Sequence, residues 1–532
     1  MLKTHLTVLE ASASRYSSLP IFKVPQLDTS SGHIDGWASI SYQEFLRDVE
    51  NYARHWRRVL TRDSIPPKSV IGIWVGGFTY IDALHIYGIS RAGYIPQLFS
   101  LRLPSPVVVY ELLRKADAKA LVHDHTYTSI LNDCFLPTHP SLALTPLETD
   151  DEPLPPVSVP LPEEIAFIFH TSGSTSGSPK LVPCMFSWLD SAISKSSQIS
   201  VPRTQERQDV TIWMGSMCHI GQTFMLLGSL QHGSCVIQPT AIPYPSTELV
   251  DMIHRAGLNR LNQFAAFLSS HLKAARLDPK LLNLLQGLDD ILYTGLPLPR
   301  EDEEWAYKNG LKLRNLFGST ECGAMLLSVG SHERNPSLLH SLDGFSYRFV
   351  STGPDPAIGH QSTARLMELI IPAESPDCPH PSLRHEDGDF HTGDLFQEAS
   401  PGLFVFRGRD DDWIKSENSL RCDTKAIEDN AMAMCGNLIS NCVVVGTGRP
   451  SPVMFVEPVS DMDPERIKKE IIRKTRHFHS RRYLHERITL TDMIIVVPPR
   501  SLPRTATKGN IRRKAVEETY KSQIDQIFQR LR

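Results

Sequence analysis

The densest set of groups able to do chemistry lies between Thr171 and Lys180, TSGSTSGSPK, where eight of ten residues are Thr, Ser or Gly. The apolar run Ile165 to Phe169 just before it reads as a buried strand. Hydroxyls and backbone N–H groups in a small-residue loop leaving a strand can turn inward around an anion. Thr171, Ser172, Ser174 and Thr175 supply hydroxyls, Gly173 and Gly177 let a ligand approach the backbone closely, and Lys180 adds a point charge suited to phosphate. The spacing is not the Walker pattern, because no Gly-Lys-Ser/Thr ends it. A flexible linker has a similar composition, but linkers seldom leave an apolar strand and end on Pro-Lys.

Four more sets follow in the chain. NLFGSTECG, 315–323, places a Gly-Ser-Thr-Glu turn after a strand. Thr320 offers a hydroxyl to a phosphate oxygen there, and Glu321 a carboxylate to Mg²⁺. In HTGDL, 391–395, Asp394 at a strand end suits ribose hydroxyls, which donate to it. FRGRDDDWIK, 406–415, embeds Gly-Arg and Ile-Lys in what otherwise reads as a charged, exposed turn. PRTATKGNIRRK, 503–514, carries Lys508 on a loop, with Lys514 as the alternative lysine. A cation there could neutralise a bound carboxylate and a pentavalent phosphorus; a solvated basic tail is the plainer reading. Each of the first two sets is also ordinary loop composition when taken alone.

In this order the five motifs resemble those of the adenylate-forming superfamily, which includes acyl-CoA synthetases, luciferases and the adenylation domains of peptide synthetases. The resemblance spans nearly the whole chain. It implies that Thr171, Ser172, Gly173, Ser174, Thr175, Gly177 and Lys180 hold the phosphates of ATP. Asn315, Phe317, Gly318, Ser319 and Thr320 then belong to the nucleotide site, with Phe317 beside the adenine and Thr320 at the α-phosphate. Glu321 is implied as the Mg²⁺ ligand, Asp394 as the ribose ligand, Arg409 as a ribose or phosphate contact, and Asp411 as the hinge of a small mobile domain. Lys508 is implied at the reacting centre, although the order here is Thr507-Lys508-Gly509 where most of the superfamily has Thr-Gly-Lys. The implied reaction is attack of a carboxylate on the α-phosphorus of ATP, giving an acyl-adenylate and pyrophosphate. A phosphopantetheine thiol, on a carrier protein or on CoA, is the implied acceptor.

The same resemblance bears on the acid. His219, in MGSMCHIGQTF, stands where relatives have a His or Phe beside the substrate, and it joins Lys508 and Thr320 as a candidate catalytic residue. The next position, usually Asp in amino-acid activators, is Ile220. An unpaired buried ammonium would cost several kcal/mol, so the expected substrate lacks a free α-amine: aryl, keto or short aliphatic. A satisfied core histidine is the plainer reading of His219. Gly295, Leu296, Gly318 and Cys322 complete the expected pocket wall. The segment DDWIKSENSLRCDTKAIEDN, with Asn418 for the usual Gly, looks like fungal synthetase-like adenylation domains, in which a carrier domain follows. No carrier motif is found before Arg532, so an excised domain with its carrier removed, and a separate carrier acting in trans, are both expected readings. Free CoA as acceptor, and a non-catalytic nucleotide-binding scaffold of the same fold, are the alternatives.

These motifs need a frame. Ser41 reads as the N-cap of a helix with Glu44 at the capping-box position, and Phe45, Val49, Tyr52 and Trp56 recur at helical spacing. Strands at 69–77, 94–99 and 118–124 alternate with helical segments, which predicts an α/β fold with doubly wound parallel sheets. Residues before Ser41 read as a turn-rich start, and 146–163 as a surface connector rich in acids and prolines. From about 340 short alternating segments predict a small β-rich part, and after 411 a separate α+β domain. The expected division is therefore 1–410 and 411–532. At 532 residues more than one domain is expected. A net charge of −4 gives no reason to expect nucleic acid or an acidic membrane as partner. Nine cysteines without a C-x-x-C pair, and no secretory or membrane-length apolar run, favour a reducing, cytoplasmic setting.

Overall fold

The structure is a computed structural model. It describes residues 2–531 apart from 29, 31, 102, 104, 144–152, 158, 172–179, 205, 331–334, 353–365, 411–412, 416–420, 481, 483 and 506–508.

Local signals set several elements where the sequence predicts them. The helix Tyr42–Arg62 opens with a reciprocal capping box. The Ser41 N–H donates to Glu44 Oε2 at 2.7 Å, and the Glu44 N–H donates to Ser41 Oγ at 3.2 Å. Its buried face, Tyr42, Phe45, Val49, Tyr52, Ala53, Trp56, Val59 and Leu60, follows the helical period. Helix Tyr80–Arg91 lies against it so closely that a Cβ on Gly88 would sit 2.6 Å from that of Tyr52.

Among the described residues five sheets are formed. The six-stranded sheet runs, in spatial order, Thr138–Pro140, Ala120–His123, Val70–Val75, Ile95–Ser100, Ile165–Thr171 and Lys180–Met185. All neighbours are parallel except the last pair. A four-stranded sheet orders Ile34–Ser41, Pro20–Leu27, Cys235–Ile237 and Val210–Ile212. The nine-stranded sheet begins with parallel strands Arg260–Phe264, Asp290–Thr294 and Leu313–Ser319. It continues antiparallel through Gly323–Ser328, Leu339–Ser341, Leu403–Arg409, Phe390–Ser400, Met367–Ile371 and Arg348–Ser351. The β-rich part expected after 340 is thus hydrogen-bonded edge to edge onto the parallel strands.

From Trp413 onward a two-stranded and a three-stranded sheet, with helices Thr424–Cys435, Pro464–Ser480, Arg513–Thr519 and Lys521–Leu531, enclose a core of their own that runs from Ile414 to Phe528. Among the described residues no helix is long and apolar enough to cross a membrane.

One expectation is corrected. The start before Ser41 is not turn-rich. Helix His5–Arg15 is capped by Thr4 and Thr7, and strands Pro20–Leu27 and Ile34–Ser41 pair antiparallel. Pro20 and Pro25 argue against a strand locally, but Pro20 is the strand's first residue, beside a register shift, and Pro25 lies past Phe22 and Lys23, the two residues that pair with Cys235–Ile237, positions where proline's missing N–H is tolerated.

Buried histidines give the fold an acid limit. Burial pushes His5 and His85 down to about 3, and His170, His271 and His479 down to about 4. Each stays neutral in the folded chain, while the same group in the unfolded chain takes up a proton below about 6.5. The unfolded state therefore binds more protons, and stability falls as pH drops from about 6.5 towards 4. The urea midpoint should hold steady above that window and decline within it; a midpoint unchanged down to pH 5 would contradict this account.

Candidate active site

Strand Ile165–Thr171 is buried from Ala166 to Phe169 and pairs antiparallel with Lys180–Met185, with Thr171 opposite Lys180. The Ser/Thr/Gly loop therefore closes a hairpin whose mouth is Thr171 and the exposed Lys180. Ser172, Gly173, Ser174, Thr175 and Gly177 lie outside the described residues. Helix Phe186–Ile199 begins only after the second strand, so no helix N-terminus directly follows this loop, and an anion there would depend on the loop's own N–H groups.

The Gly-Ser-Thr-Glu turn is a second hairpin. Strands Leu313–Ser319 and Gly323–Ser328 pair with Ser319 opposite Gly323. A Cβ on Gly318 would lie 2.4 Å from the Gly323 carbonyl oxygen, so the turn can close only over glycine. Ser319 Oγ accepts the Cys322 N–H at 3.2 Å, and Asn315 donates its N–H to Ser328 Oγ at 2.8 Å. Thr320 and Glu321 form the partly exposed tip.

Buried charge holds this hairpin. Lys195, 0% exposed on helix Phe186–Ile199, donates to the Cys322 carbonyl oxygen at 2.9 Å and to Asp377 Oδ2 at 2.5 Å. Asp377, 1% exposed, also accepts from the Tyr347 hydroxyl at 2.7 Å and from Ser375 Oγ at 2.5 Å. Burial lowers the pKa of Lys195, and the attraction of Asp377 works against that shift. Sequence reasoning missed this pair. Its signal was a lysine at helical spacing from Trp188 and Ala192 on a face otherwise apolar or small.

Both hairpins pack against helix Phe186–Ile199. Burial, and after it the charge of Glu321, pushes the Cys184 thiol up, and Cys184 lies on the second strand of the Ser/Thr/Gly hairpin. Gly323 faces Trp188 and Phe224, which ties the second hairpin to helices Phe186–Ile199 and Ile220–His232.

Phe317 connects this region to the ribose motif. Its ring lies 5.1 Å from those of Phe396 and Phe406, on strands Phe390–Ser400 and Leu403–Arg409. Asp394 and Arg409 are cross-strand partners on the same two strands, with Arg409 Nη1 3.4 Å from Asp394 Oδ1. The Asp394 N–H donates to Thr392 Oγ1 at 3.0 Å. Gly393, at φ +70°, keeps the turn clear of the Arg409 guanidinium.

On the acid side, His219 is the N-cap of helix Ile220–His232, and it and Ile220 are half-buried. The Nδ1–H of His170 donates to the Leu98 carbonyl oxygen at 2.9 Å. Phe264, not singled out in the sequence, ends strand Arg260–Phe264 among glycines. A Cβ on Gly215 or Gly295 would lie 2.6 or 3.0 Å from its ring, and one on Gly221 3.9 Å. Its position at the C-terminal end of a parallel strand was the available signal. Gly295 adjoins this ring, but Leu296 is 68% exposed. Cys322 departs from its expected role in the wall: its side chain is buried with Met325, Leu326 and Leu339, because the Ser319 turn and Lys195 draw it into the core of the nine-stranded sheet.

Asp411 and Lys508 lie outside the described residues. The flanks of Lys508 form a closed turn in which the Thr505 N–H donates to the Asn510 carbonyl oxygen at 2.8 Å and Arg504 pairs with the buried Glu457. Lys514 is exposed on helix Arg513–Thr519.

The AMP-binding enzyme family model matches residues 9–344, and that of the AMP-binding enzyme C-terminal domain matches 411–532. The chain belongs to the AMP-binding enzyme family. It is therefore an AMP-binding enzyme. It is 34% identical over 521 residues to the AMP-binding domain-containing enzyme iboA of Amanita muscaria (strain Koide BX008), covering 94% of this chain and 98% of that one. It is 24% identical to adenylate-forming reductase Nps10 of Heterobasidion annosum, covering 93% of this chain but 47% of the reductase, so it spans about half of that relative. In fold it is similar to O-succinylbenzoate coenzyme A synthetase of Bacillus subtilis, solved with AMP, at a TM-score of 0.73 and 15% identity, covering 95% and 97% of the two chains.

Lys195→Met would leave Asp377 ionised in the interior and release the Cys322 carbonyl. A loss of about 3–5 kcal/mol in unfolding free energy is expected, read by urea denaturation, with AMP affinity weakened in the fraction that stays folded. A loss below about 1 kcal/mol would show the pair to be dispensable.

Proposed function

We propose that the chain joins a carboxylic acid lacking a free α-amine to the α-phosphate of ATP, releases pyrophosphate, and hands the acyl group to the phosphopantetheine thiol of a carrier protein. The observation that carries this reading is that the turn bearing Thr320 and Glu321 is held, through the Cys322 carbonyl and Gly323, against helix Phe186–Ile199, which directly follows the strand closing the Ser/Thr/Gly hairpin.

A carboxylate is a poor acyl donor because its leaving group would be oxide. When its oxygen attacks the α-phosphorus, the phosphorus–oxygen bond to pyrophosphate breaks and the acyl carbon gains AMP as leaving group. Little covalent chemistry is asked of the protein, which supplies position and charge neutralisation. In this reading Thr171, Lys180 and the loop between them hold the outer phosphates, Thr320 donates to the α-phosphate, and Asp394 accepts from the ribose. Arg409, paired across the strands with Asp394, steadies that carboxylate. The carboxylate of Glu321 on a partly exposed tip is a hard oxygen donor and fits Mg²⁺, which when bound would offset phosphate charge. Lys508 neutralises the reacting centre, and the domain of residues 411–532 turns about Asp411 to exchange Lys508 for the thiol.

The apolar surroundings of the acid support the substrate class. Ile220, Phe264 and the glycines at 215, 221 and 295 offer no anion to an α-ammonium. The resemblance to an O-succinylbenzoate ligase, in fold alone, is compatible with an aryl acid. That same neighbour is a coenzyme A synthetase, which keeps free CoA as the second reading of the acceptor.

ATP–pyrophosphate exchange across aryl, keto, short aliphatic and α-amino acids should be highest among acids without the amine; a clear preference for an α-amino acid would defeat the substrate assignment. AMP release should be faster with a phosphopantetheinylated carrier than with CoA, and the reverse order would select the second reading. Lys508→Ala should lower exchange by about 10²–10³-fold. Full retention would move the role to another lysine.

A further inference from the structure

The segment Arg384–His391, RHEDGDFH, brings His385, Asp387 and His391 together, three residues that the adenylation chemistry does not use. One ligand atom from each of His385, Asp387 and His391 lies within 4.8 Å of the others. His391 Nε2 is 3.0 Å from Asp387 Oδ2, and the two imidazole rings are 4.7 Å apart. His385 and Asp387 are exposed and His391 is half-buried, so an ion could enter from solvent.

The cluster rides on a tied turn. The Gly388 N–H donates to the His385 carbonyl oxygen at 3.0 Å, and the His385 N–H to that of Asp389 at 2.8 Å. Asp387 Oδ1 accepts the Asp389 N–H at 3.0 Å. Asp389 in turn accepts the Ala373 N–H at 2.8 Å and pairs with Arg348.

His391 is also backed from behind. While Nε2 faces Asp387, Nδ1 lies 3.5 Å from Glu368 Oε2. A carboxylate behind a ligating histidine is the usual way such a ring is oriented and made more basic.

We propose that His385, Asp387 and His391 bind a zinc-class divalent ion, with Glu368 as the orienting group and water in the remaining position. Two imidazoles and one carboxylate suit Zn²⁺ rather than Mg²⁺, which prefers oxygen alone. Neighbouring ligands in a tetrahedral zinc site stand about 3.3 Å apart. The His391 and Asp387 atoms are already near that spacing, and the rest requires a closure of at most about 1.5 Å.

The site is coupled to the ribose motif. Glu368 Oε1 accepts the Gly393 N–H at 3.1 Å, and Gly393 directly precedes Asp394. An ion on His391 draws on Glu368, and Glu368 positions the turn that presents Asp394. This coupling rests on the nucleotide reading of Asp394; the metal site itself does not.

The full chain, stripped with chelator, is titrated with Zn²⁺ by calorimetry and with Co²⁺ by visible absorption. One site is expected, weakened at least about tenfold by H385Q and by H391Q, with no near-ultraviolet thiolate-to-cobalt band. Absence of zinc binding, binding that both variants leave unchanged, or a thiolate band pointing to the cysteines would overturn it. If H391Q does not fold, the exposed H385Q carries the comparison. AMP affinity, measured with and without Zn²⁺, should shift about fivefold or more in the unsubstituted chain and not in H385Q. Equal affinities would remove the coupling, whereas failure to bind AMP at all, with zinc binding intact, would count against the nucleotide reading instead.

Discussion

The contact on which the site depends is a charge pair sealed from water. Lys195 and Asp377 are separated by 182 residues and meet with almost no exposure. Charges so placed are destabilising unless every remaining donor and acceptor is met, and here the donors from Tyr347, Ser375 and Lys195 converge on one carboxylate. The second hydrogen-bond partner of Lys195 is the carbonyl of Cys322. The pair thereby fixes the end of the turn that carries Thr320 and Glu321, and a tip that must offer a hydroxyl and a carboxylate to solvent is anchored by its own interior.

A second set of buried charges stands at the opposite end of the same strands. Arg260, Asp290 and Arg314 lie at the starts of the parallel strands of the nine-stranded sheet, and Asp209 joins them, with Arg260 Nη1 2.8 Å from Asp209 Oδ2 and Arg314 Nε 2.7 Å from Asp290 Oδ1. Burial alone would raise the Asp290 pKa, but the guanidinium of Arg314, helped by Arg260 and Arg203, holds it below the usual carboxylate range. The two ends of these strands thus divide the labour. Closed ion pairs lock the starts, and the finishing ends carry Phe264, Gly295 and the 319–323 turn, in keeping with the tendency of open α/β sheets to bind ligands beyond the carboxyl ends of their strands.

How much of this could be read without a structure depends on the range of the interaction. The helix Tyr42–Arg62 was legible to its first residue, because a capping box and a 3.6-residue apolar period are local. The strands Pro20–Leu27 and Ile34–Ser41 were not, because their stability comes from pairing with one another and with Cys235–Ile237, far along the chain. Cys322 was misread for the same reason: a residue two places after Thr320 is near the site in sequence, yet the turn sends its side chain into the core.

The residues alone determined the five motifs, their order and hence the family resemblance, because residue types at fixed local spacing are legible without tertiary contacts. They also determined that position 220 carries isoleucine and no carboxylate. Only the tertiary structure decided that Ile165–Thr171 and Lys180–Met185 pair antiparallel, that Phe264 stands among three glycines, and that Glu368 links a histidine cluster to the turn before Asp394. These are contacts between segments tens to hundreds of residues apart, and the order of strands in a sheet, which no local preference encodes, is what brings them together.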